Sequence, residues 1–289
     1  MTTPRPRVAL ESTIFSHLGL PSPHNLDALR RCFAAIEAGG ATPLITAVLD
    51  GRAMVGVDPQ DHGRICGPAR KVAARDLAVA IGQGWEYGAT TVSAALTLAA
   101  RDGIEVFATG GIGGVHRGWP ETGDISADLG ALAAHQVITV SAGAKVFLDL
   151  PATLEHLETD GVIVLGWQTD EFPAFHAVSS GLTLPHRVES ADEVARIARA
   201  HWSLGGGGIL VAAPVPAEAA IDIVELEMAV DEALAAAEAS GVTGPATTPV
   251  VLGALAAATD GRSIPTNLSL AEHNAAVGAA IAVALAADR

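Results

Sequence analysis

The chain is poor in cysteine, in lysine and in positive charge, and each shortage excludes a class of protein. Its two cysteines cannot form the disulfide framework of a small secreted domain or a Cys-x-x-Cys metal site. The 32 acidic residues outnumber the 17 basic ones, and the net charge of −15 argues against nucleic acid or an anionic membrane as a partner. We find no signal-peptide pattern and no apolar run of about 18 residues, so we expect a cytoplasmic protein.

The distribution of apolar residues predicts an α/β fold. Hydrophobic residues make up 49% of the 289 residues, which is enough for a sizeable core. Short apolar segments that predict strands alternate with helical stretches of about 10–15 residues, as in βαβ units. No linker, repeat or low-complexity run divides the chain. We therefore predict one three-layer α/β/α domain over residues 1–289, with a mixed, largely parallel central sheet.

Lysine is scarce enough that the positions of the lysines are informative. Only Lys71 and Lys145 are lysines, whereas the other basic residues are arginines. Lys145 follows a predicted strand, and in open α/β sheets ligands bind at the carboxyl ends of strands. A lysine amine can condense with a sugar aldehyde to form an imine, which a guanidinium cannot do. Compositional drift is the alternative for Lys145. Lys71 is either a phosphate-binding residue or a salt-bridge partner.

Carboxylates follow two further predicted strand ends. Glu11 comes directly after the strand "RVAL", where burial would raise its pKa and suit it to proton transfer; an exposed strand end is the alternative. Asp124 and Asp128 lie four residues apart in a helix predicted over residues 124–135, and therefore on one helix face. They either complement the helix dipole or supply oxygen ligands for Mn²⁺ or Mg²⁺.

A glycine-rich segment, "GGIGGVHRG" (Gly110–Gly118), follows the strand predicted over residues 104–109. Its backbone amides can approach an anion closely, and Arg117 adds a planar guanidinium. With His116, this segment is predicted to contact an anionic substrate. The glycine spacing does not match the dinucleotide-binding fingerprint, and a tight turn is the alternative.

Taken together, these motifs resemble the pseudouridine-5′-phosphate glycosidase family, also called the indigoidine synthase A-like family. The matching stretches run in family order from residue 9 to about residue 280: "ALEST", "KVAARDL", "GATTVSA", "TGGIGGVHRG", "DISADL", "AGAK", "LETDGV", "EFPAF" and "SIPTNLSL". The resemblance implies a three-layer α/β/α fold, usually assembled as a homotrimer, with a Mn²⁺-type cation.

The resemblance also implies an activity: reversible cleavage of the C–C glycosidic bond of pseudouridine 5′-phosphate, giving uracil and ribose 5-phosphate. It implies that Glu11 transfers a proton at the base carbon, that Lys145 forms an imine with ring-opened ribose, and that Asp124 binds the metal. The other positions that it implies are Asp128, catalytic in ring opening, and the substrate contacts Lys71, Val92, Ser126 and Asn267.

Four residues differ from the usual family motifs: Trp167, His176, Ala213 and His273. The positions implied to bind the sugar phosphate do not differ. The aromatic or nucleobase partner is therefore less determined than the sugar phosphate. One alternative is a C-ribosyltransferase that joins ribose 5-phosphate to an aromatic acceptor. Two others are a catalytically inactive sugar-phosphate-binding protein and a Schiff-base aldolase, which would need neither Glu11 nor a metal.

Overall fold

The structure, a computed structural model, describes residues 5–239 and 247–287. Its strands are β1 (Arg7–Leu10), β2 (Thr42–Leu49), β3 (Arg52–Val55), β4 (Arg70–Val72), β5 (Tyr87–Thr90), β6 (Val106–Ala108), β7 (Val115–His116), β8 (Ile138–Ser141), β9 (Leu148–Asp149), β10 (Ile163–Trp167), β11 (Arg187–Val188) and β12 (Ile209–Ala212). Its α-helices are α1 (His24–Ala38), α2 (His62–Ile65), α3 (Leu77–Gly82), α4 (Val92–Arg101), α5 (Trp119–Thr122), α6 (Ala127–Ala134), α7 (Leu150–Thr159), α8 (Ala191–Ser203), α9 (Ile223–Ala239), α10 (Thr247–Ala258) and α11 (Ser263–Ala287).

Ten of the strands form one sheet in the order β11-β10-β12-β8-β6-β1-β2-β5-β4, with β3 paired to β2. Pairing is parallel from β11 to β2 and again between β4 and β5, whereas β2 runs antiparallel to both β3 and β5. Helices α1, α8 and α11 pack together on one face, and α4, α6 and α7 pack on the other. The predicted three-layer fold with a mixed, largely parallel sheet is confirmed.

The central strands are buried along almost their whole length because both faces of the sheet are covered. In β12 and β8 every residue is buried, and in β1 only the first residue is exposed. Parallel sheets sandwiched between helices have this continuous pattern, in contrast to the alternating pattern of a sheet with one wet face. This arrangement leaves the strand ends as the natural place for polar chemistry.

The longest helix, α11, crosses behind these strand ends. It is apolar and long enough to span a membrane by composition alone, but 61% of its most apolar window is buried inside the protein. It packs against α1, α8 and the strands β1, β6 and β8, so it is an interior helix of the α/β/α layers. Two buried asparagines of this helix, Asn267 and Asn274, therefore lie among apolar neighbours close to the end of β6.

We expect Gly143→Ala to destabilise the protein more than Gly161→Ala. Both glycines have positive φ, +76° and +75°, so alanine costs about 1–2 kcal/mol at either position. An added Cβ at Gly143 would lie 2.2 Å from the Pro173 carbonyl oxygen, whereas at Gly161 it meets nothing within 4 Å among the described residues. The clash adds about 1–3 kcal/mol. Urea denaturation of both variants measures the difference, and equal losses would contradict the packing described here.

Candidate active site

The carboxyl ends of three neighbouring parallel strands meet at one edge of the sheet. Glu11 directly follows β1, Thr109 directly follows β6, and Lys145 lies on the loop that leaves β8. The sheet order places β6 between β1 and β8, so the residues after β6 are in contact with both neighbouring loops.

The residues that follow β6, the Thr109–Gly113 segment, hold three of the predicted catalytic residues by hydrogen bonds. The Thr109 hydroxyl donates a short hydrogen bond to Oε1 of Glu11. The Lys145 amide donates to the Ile112 carbonyl at 3.1 Å. The Gly113 amide donates to Oδ2 of Asp128 at 2.9 Å. One stretch of backbone therefore fixes Glu11, Lys145 and Asp128 relative to one another.

Glu11 is a buried carboxyl group surrounded by charges. Its side chain and backbone are only 8% exposed. Burial raises its pKa above the ordinary value of 4.5, and the nearby charge of Asp128 also raises it, whereas Lys145, the Thr109 hydroxyl and Lys71 act in the opposite direction. A carboxyl group that retains its proton to higher pH is suited to general acid–base chemistry.

The two lysines lie in the same electrostatic cluster. Lys145 is half-buried, and both amines interact with the Glu11 carboxyl group. Lys71, in β4, retains contact with solvent, yet the protein around its amine lowers its pKa, and the charge of Lys145 lowers it further. The carboxylates of Asp128, Glu11 and Asp124 act in the opposite direction. The amine of Lys145, the predicted imine-forming residue, is thus close enough to Lys71 for the two charges to interact. Two such cations favour binding of an anion such as a phosphate.

Asp124 and Ser126 take positions that differ from the sequence prediction, whereas Asp128 lies in a helix as predicted. The predicted helix over 124–135 begins only at Ala127, because the Ser126 hydroxyl caps α6 by accepting from the Asp128 amide at 3.2 Å. Asp124 therefore precedes the helix, and the expectation that Asp124 and Asp128 share a helix face was wrong. Asp128 is buried, and its second oxygen accepts from the Ser93 amide at 2.9 Å.

Val92 lies beside this carboxylate, as the first residue of α4. It is buried, and its neighbour Ser93 provides the amide that binds Asp128. The α4 N-terminus is thereby connected to the α6 N-terminus through one carboxylate. This contact links the predicted substrate contact Val92 to the same cluster.

The glycine-rich segment serves close packing more than anion binding. A Cβ on Gly113 would lie 2.3 Å from the Ser126 hydroxyl, and one on Gly111 would lie 2.6 Å from the Phe175 ring. The Gly113 amide, which the sequence analysis assigned to an anionic ligand, instead binds the internal carboxylate of Asp128. This amide is therefore occupied by the protein's own carboxylate, and anion binding by the other amides of the segment stays a prediction.

His116 and Arg117, predicted to contact substrate, have different surroundings. His116 is half-buried, with Nδ1 at 3.9 Å from Oδ2 of Asp124; burial lowers its pKa, and Asp124 opposes that shift. Arg117 is exposed and forms an ion pair with Asp231 at 2.8 Å. The structure thus brings His116 into the cluster and turns the guanidinium of Arg117 toward α9. The role of Arg117 in substrate binding stays a prediction.

Two asparagines of α11 approach the Thr109–Gly113 segment. Asn267 is 9% exposed and its Oδ1 lies 3.5 Å from the position of a Cβ added to Gly110, so it borders the segment; its contact with the base stays a prediction. Asn274 is completely buried and donates from Nδ2 to the carbonyls of Thr109 and Gly110. The sequence analysis missed both Asn274 and Thr109. A polar residue directly after β6, and an asparagine within an apolar helix, were the available signals.

The donor atoms fit a divalent cation only in a largely hydrated form. Within residues 5–239 and 247–287, no group of three or more His, Cys, Asp and Glu side chains could hold a metal ion. Asp124 is half-exposed with His116 nearby, whereas both oxygens of Asp128 accept backbone amides. Mg²⁺-like cations are commonly held by one or two carboxylates, with water and phosphate oxygens as the remaining ligands. Asp124 fits that mode, and an enclosed protein cage is not formed.

A cavity of about 330 Å³ opens next to the Lys145 loop, which contributes Val146 to its wall. Its wall is mainly apolar, with charged groups among the lining residues: Arg117, Val146, Leu148, Asp149, Leu150, Pro151, Ala174, Ser180, Leu182, Ile223 and Glu227. His176, one of the residues that differ from the usual family motifs, lies two residues after Ala174, which lines this cavity. It is 1% exposed, burial lowers its pKa to about 3, and its ring packs 4.2 Å from that of Phe175. His176 is therefore a neutral core residue.

Comparison with known proteins places this geometry in context. Residues 1–284 match the model of a family described as indigoidine synthase A like protein. The chain is 49% identical over 284 residues to the pseudouridine-5′-phosphate glycosidase of Sorangium cellulosum, covering 97% of this chain and 89% of that protein. It is 46% identical over 285 residues to that of Caldanaerobacter subterraneus subsp. tengcongensis, covering 97% and 92%.

Solved structures with the same fold include two at more than 30% identity. The crystal structure of the prealnumycin C-glycosynthase AlnA in complex with ribulose 5-phosphate superposes with a TM-score of 0.89 at 35% identity, covering 98% of this chain and 92% of that one. An indigoidine synthase A-like protein from Thermotoga maritima superposes with a TM-score of 0.88 at 33% identity, covering 96% and 92%.

We expect Glu11→Gln to gain stability relative to the wild type as the pH rises. A carboxyl group with a raised pKa in the folded state favours folding below its unfolded value of about 4.5 and loses that contribution as it ionises at higher pH. Glutamine does not ionise. The difference in thermal midpoint, variant minus wild type, should therefore increase between pH 5 and pH 8. A difference that stays constant or decreases would show that burial does not raise the pKa of Glu11.

Proposed function

The chain belongs to the indigoidine synthase A-like family, and from that premise we propose that it is a pseudouridine-5′-phosphate glycosidase. The proposed reaction is reversible cleavage of the C–C glycosidic bond, giving uracil and ribose 5-phosphate. The observation that supports it most directly is the Thr109–Gly113 segment, which holds Glu11, Lys145 and Asp128 together. The names of relatives that are 46–49% identical over nearly the whole chain support the substrate.

Lys145 is the proposed nucleophile. In the cleavage direction, its neutral amine bonds to C1′ of the ribose as the C1′–O4′ bond breaks and the ring opens. The proton that the nitrogen loses passes to O4′, which becomes a hydroxyl group. The nitrogen lone pair then forms a C=N bond as the C1′–C5 bond to uracil breaks. Water hydrolyses the imine to release ribose 5-phosphate and the free amine. An amine is needed because the base of a C-glycoside is attached to C1′ through carbon, which offers no oxygen or nitrogen atom to protonate as the base leaves.

Glu11 is the proposed proton donor to the base carbon. The electron pair of the broken C1′–C5 bond remains with the base, and C5 of uracil accepts a proton in its place. A buried carboxyl group that keeps its proton and is held by the Thr109 hydroxyl can deliver it at that position. In the synthetic direction the same group accepts the C5 proton.

The remaining cluster residues bind and orient the sugar phosphate in this proposal. Lys71 supplies positive charge for the phosphate, and Ser126, Val92 and His116 surround the sugar near Asp128. The Asp128 carboxylate, oriented by the amides of Ser93 and Gly113, is placed to accept a hydrogen bond from the hydroxyl formed on ring opening. Asn267 lies on the side of Gly110 and is proposed to face the base.

A divalent cation, Mn²⁺ in our proposal, would be held by Asp124. When bound, it would supply positive charge for phosphate or hydroxyl oxygens of the substrate. The resemblance also suggests a homotrimer, which we retain as part of the proposal.

A second candidate keeps the chemistry and changes the acceptor. The likeness to the prealnumycin C-glycosynthase AlnA, at 35% identity and a TM-score of 0.89, favours a C-ribosyltransferase that joins ribose 5-phosphate to an aromatic acceptor. The cavity next to the Lys145 loop, with its largely apolar wall, could accommodate a ring larger than uracil. The higher identity to proteins named pseudouridine-5′-phosphate glycosidase keeps uracil as the first choice.

The test is incubation with ribose 5-phosphate, uracil and Mn²⁺, followed by mass spectrometry. We expect pseudouridine 5′-phosphate to form, and we expect product to disappear after dialysis against a chelator and to return with Mn²⁺. Undiminished turnover in metal-free buffer would reject the cation. Absence of product with uracil, together with product from a polyphenolic acceptor, would favour the C-ribosyltransferase.

Lys145→Arg should preserve the positive charge and abolish turnover, because a guanidinium forms no such imine near neutral pH. Borohydride reduction in the presence of ribose 5-phosphate should attach the sugar to Lys145 in the wild type, as shown by peptide mass spectrometry. Lys71→Arg is the matched control and should still be labelled at Lys145. An active Lys145→Arg variant would reject the imine, and labelling of Lys71 would show that the other lysine is the nucleophile.

A further inference from the structure

We propose that Asn274 is a positioning residue for this reaction: it fixes the Thr109–Gly113 segment from behind and, through Thr109, orients the carboxyl group of Glu11. The inference rests on the function proposed above. It assigns a role to a residue of α11 that lies behind the strand ends.

The Nδ2 group of Asn274 donates both of its hydrogen bonds to this segment, whereas its Oδ1 has no hydrogen-bond partner among the described residues. Its Nδ2 lies 2.8 Å from the Thr109 carbonyl oxygen and 3.2 Å from the Gly110 carbonyl oxygen, and the residue is 0% exposed. Both carbonyls only accept hydrogen bonds, so the orientation of the amide is fixed by its partners. A buried amide group among apolar residues is costly unless it is hydrogen-bonded, and these two bonds offset the cost of burying Nδ2.

The two carbonyls belong to residues that hold the reacting groups. Thr109 donates its hydroxyl to Glu11 and its amide to the Val140 carbonyl of β8. The Gly110 carbonyl also accepts the Ala142 amide at 2.9 Å, three residues before Lys145. A shift of this turn would therefore move the Thr109 hydroxyl away from Glu11 and change the start of the loop that presents Lys145.

The consequence for Glu11 has a definite sign. The Thr109 hydroxyl stabilises the ionised carboxylate and so lowers the pKa of Glu11 against the opposing effect of burial. If the segment loses Asn274, that hydrogen bond weakens and the pKa of Glu11 rises further. A residue that only stabilised the fold would lower the melting temperature without moving this titration.

The chain offers a matched control in Asn25 of α1. Asn25 is 2% exposed, and its Nδ2 donates to the carbonyls of Phe15 and Cys66 at 3.0 and 2.9 Å. Asn25→Ala and Asn274→Ala therefore each remove two buried side-chain-to-carbonyl hydrogen bonds. Only the second pair of bonds ends on the Thr109–Gly113 segment.

The experiment measures kcat against pH and, separately, the carbon-13 NMR titration of the Glu11 carboxyl group, identified by its loss in Glu11→Gln. For Asn274→Ala we expect kcat to fall about 10-fold or more, as for loss of a precisely oriented acid, and the Glu11 titration to move to higher pH. Thr109→Val, which keeps the side-chain shape, should give the same shift. Thr109→Ser, which keeps the hydroxyl group, should leave the Glu11 titration at its wild-type position. The double variant Asn274→Ala/Thr109→Val should shift the Glu11 titration little more than either single substitution does.

Asn25→Ala should leave the Glu11 titration and the pH dependence of kcat unchanged, even where it lowers the melting temperature. An unmoved Glu11 titration in Asn274→Ala, or an equal shift in Asn25→Ala, would overturn the proposal. If Asn274→Ala does not fold, Thr109→Val decides: an unmoved titration there also overturns it. Wild-type protein without turnover would instead contradict the proposed function, and the NMR titration would still decide the role of Asn274.

Discussion

The active-site geometry depends on the hydrogen bonds made by one stretch of five residues, the Thr109–Gly113 segment. It leaves the central strand β6 and lies between the loops that follow β1 and β8. Its hydroxyl, carbonyl and amide groups hold Glu11, Lys145 and Asp128, which are far apart in the sequence. Because these bonds are made by backbone or by a short side chain, the Glu11 carboxyl group, the backbone of Lys145 and the Asp128 carboxylate are held in defined positions relative to one another.

The electrostatics of the cluster follow from this geometry. A buried carboxyl group next to two amines has its pKa raised by burial and lowered by the amines, and for Glu11 burial is the larger effect. The amine of Lys71 is affected by burial in the opposite sense, since burial disfavours its charged form. The site thus combines a carboxyl group suited to proton transfer with positive charge that favours an anion, which is the combination that the proposed C–C cleavage would use.

The fold and the positions of Glu11 and Lys145 at strand ends could be predicted from the sequence, because strand patterns are local signals; the roles of these residues stay predictions. Glu11 and Lys145 each follow an apolar strand, and comparison with known proteins confirms the family resemblance. The start of α6 was predicted too early because the Ser126 hydroxyl caps the helix at that point. The bond from the Gly113 amide to Asp128 was not foreseen because it joins separate elements, and no local pattern records such bonds. Asn274 was missed for the same reason, since its partners lie 164 and 165 residues away.

The central claim is that the segment presents Lys145 and Glu11 to the same carbon–carbon bond. A crystal structure of the protein soaked with ribose 5-phosphate tests it most directly. The account predicts continuous electron density from Nζ of Lys145 to C1′, with the Glu11 carboxyl group facing C1′ and the phosphate near Lys71. A sugar phosphate bound away from Lys145, or joined to Lys71, would contradict it.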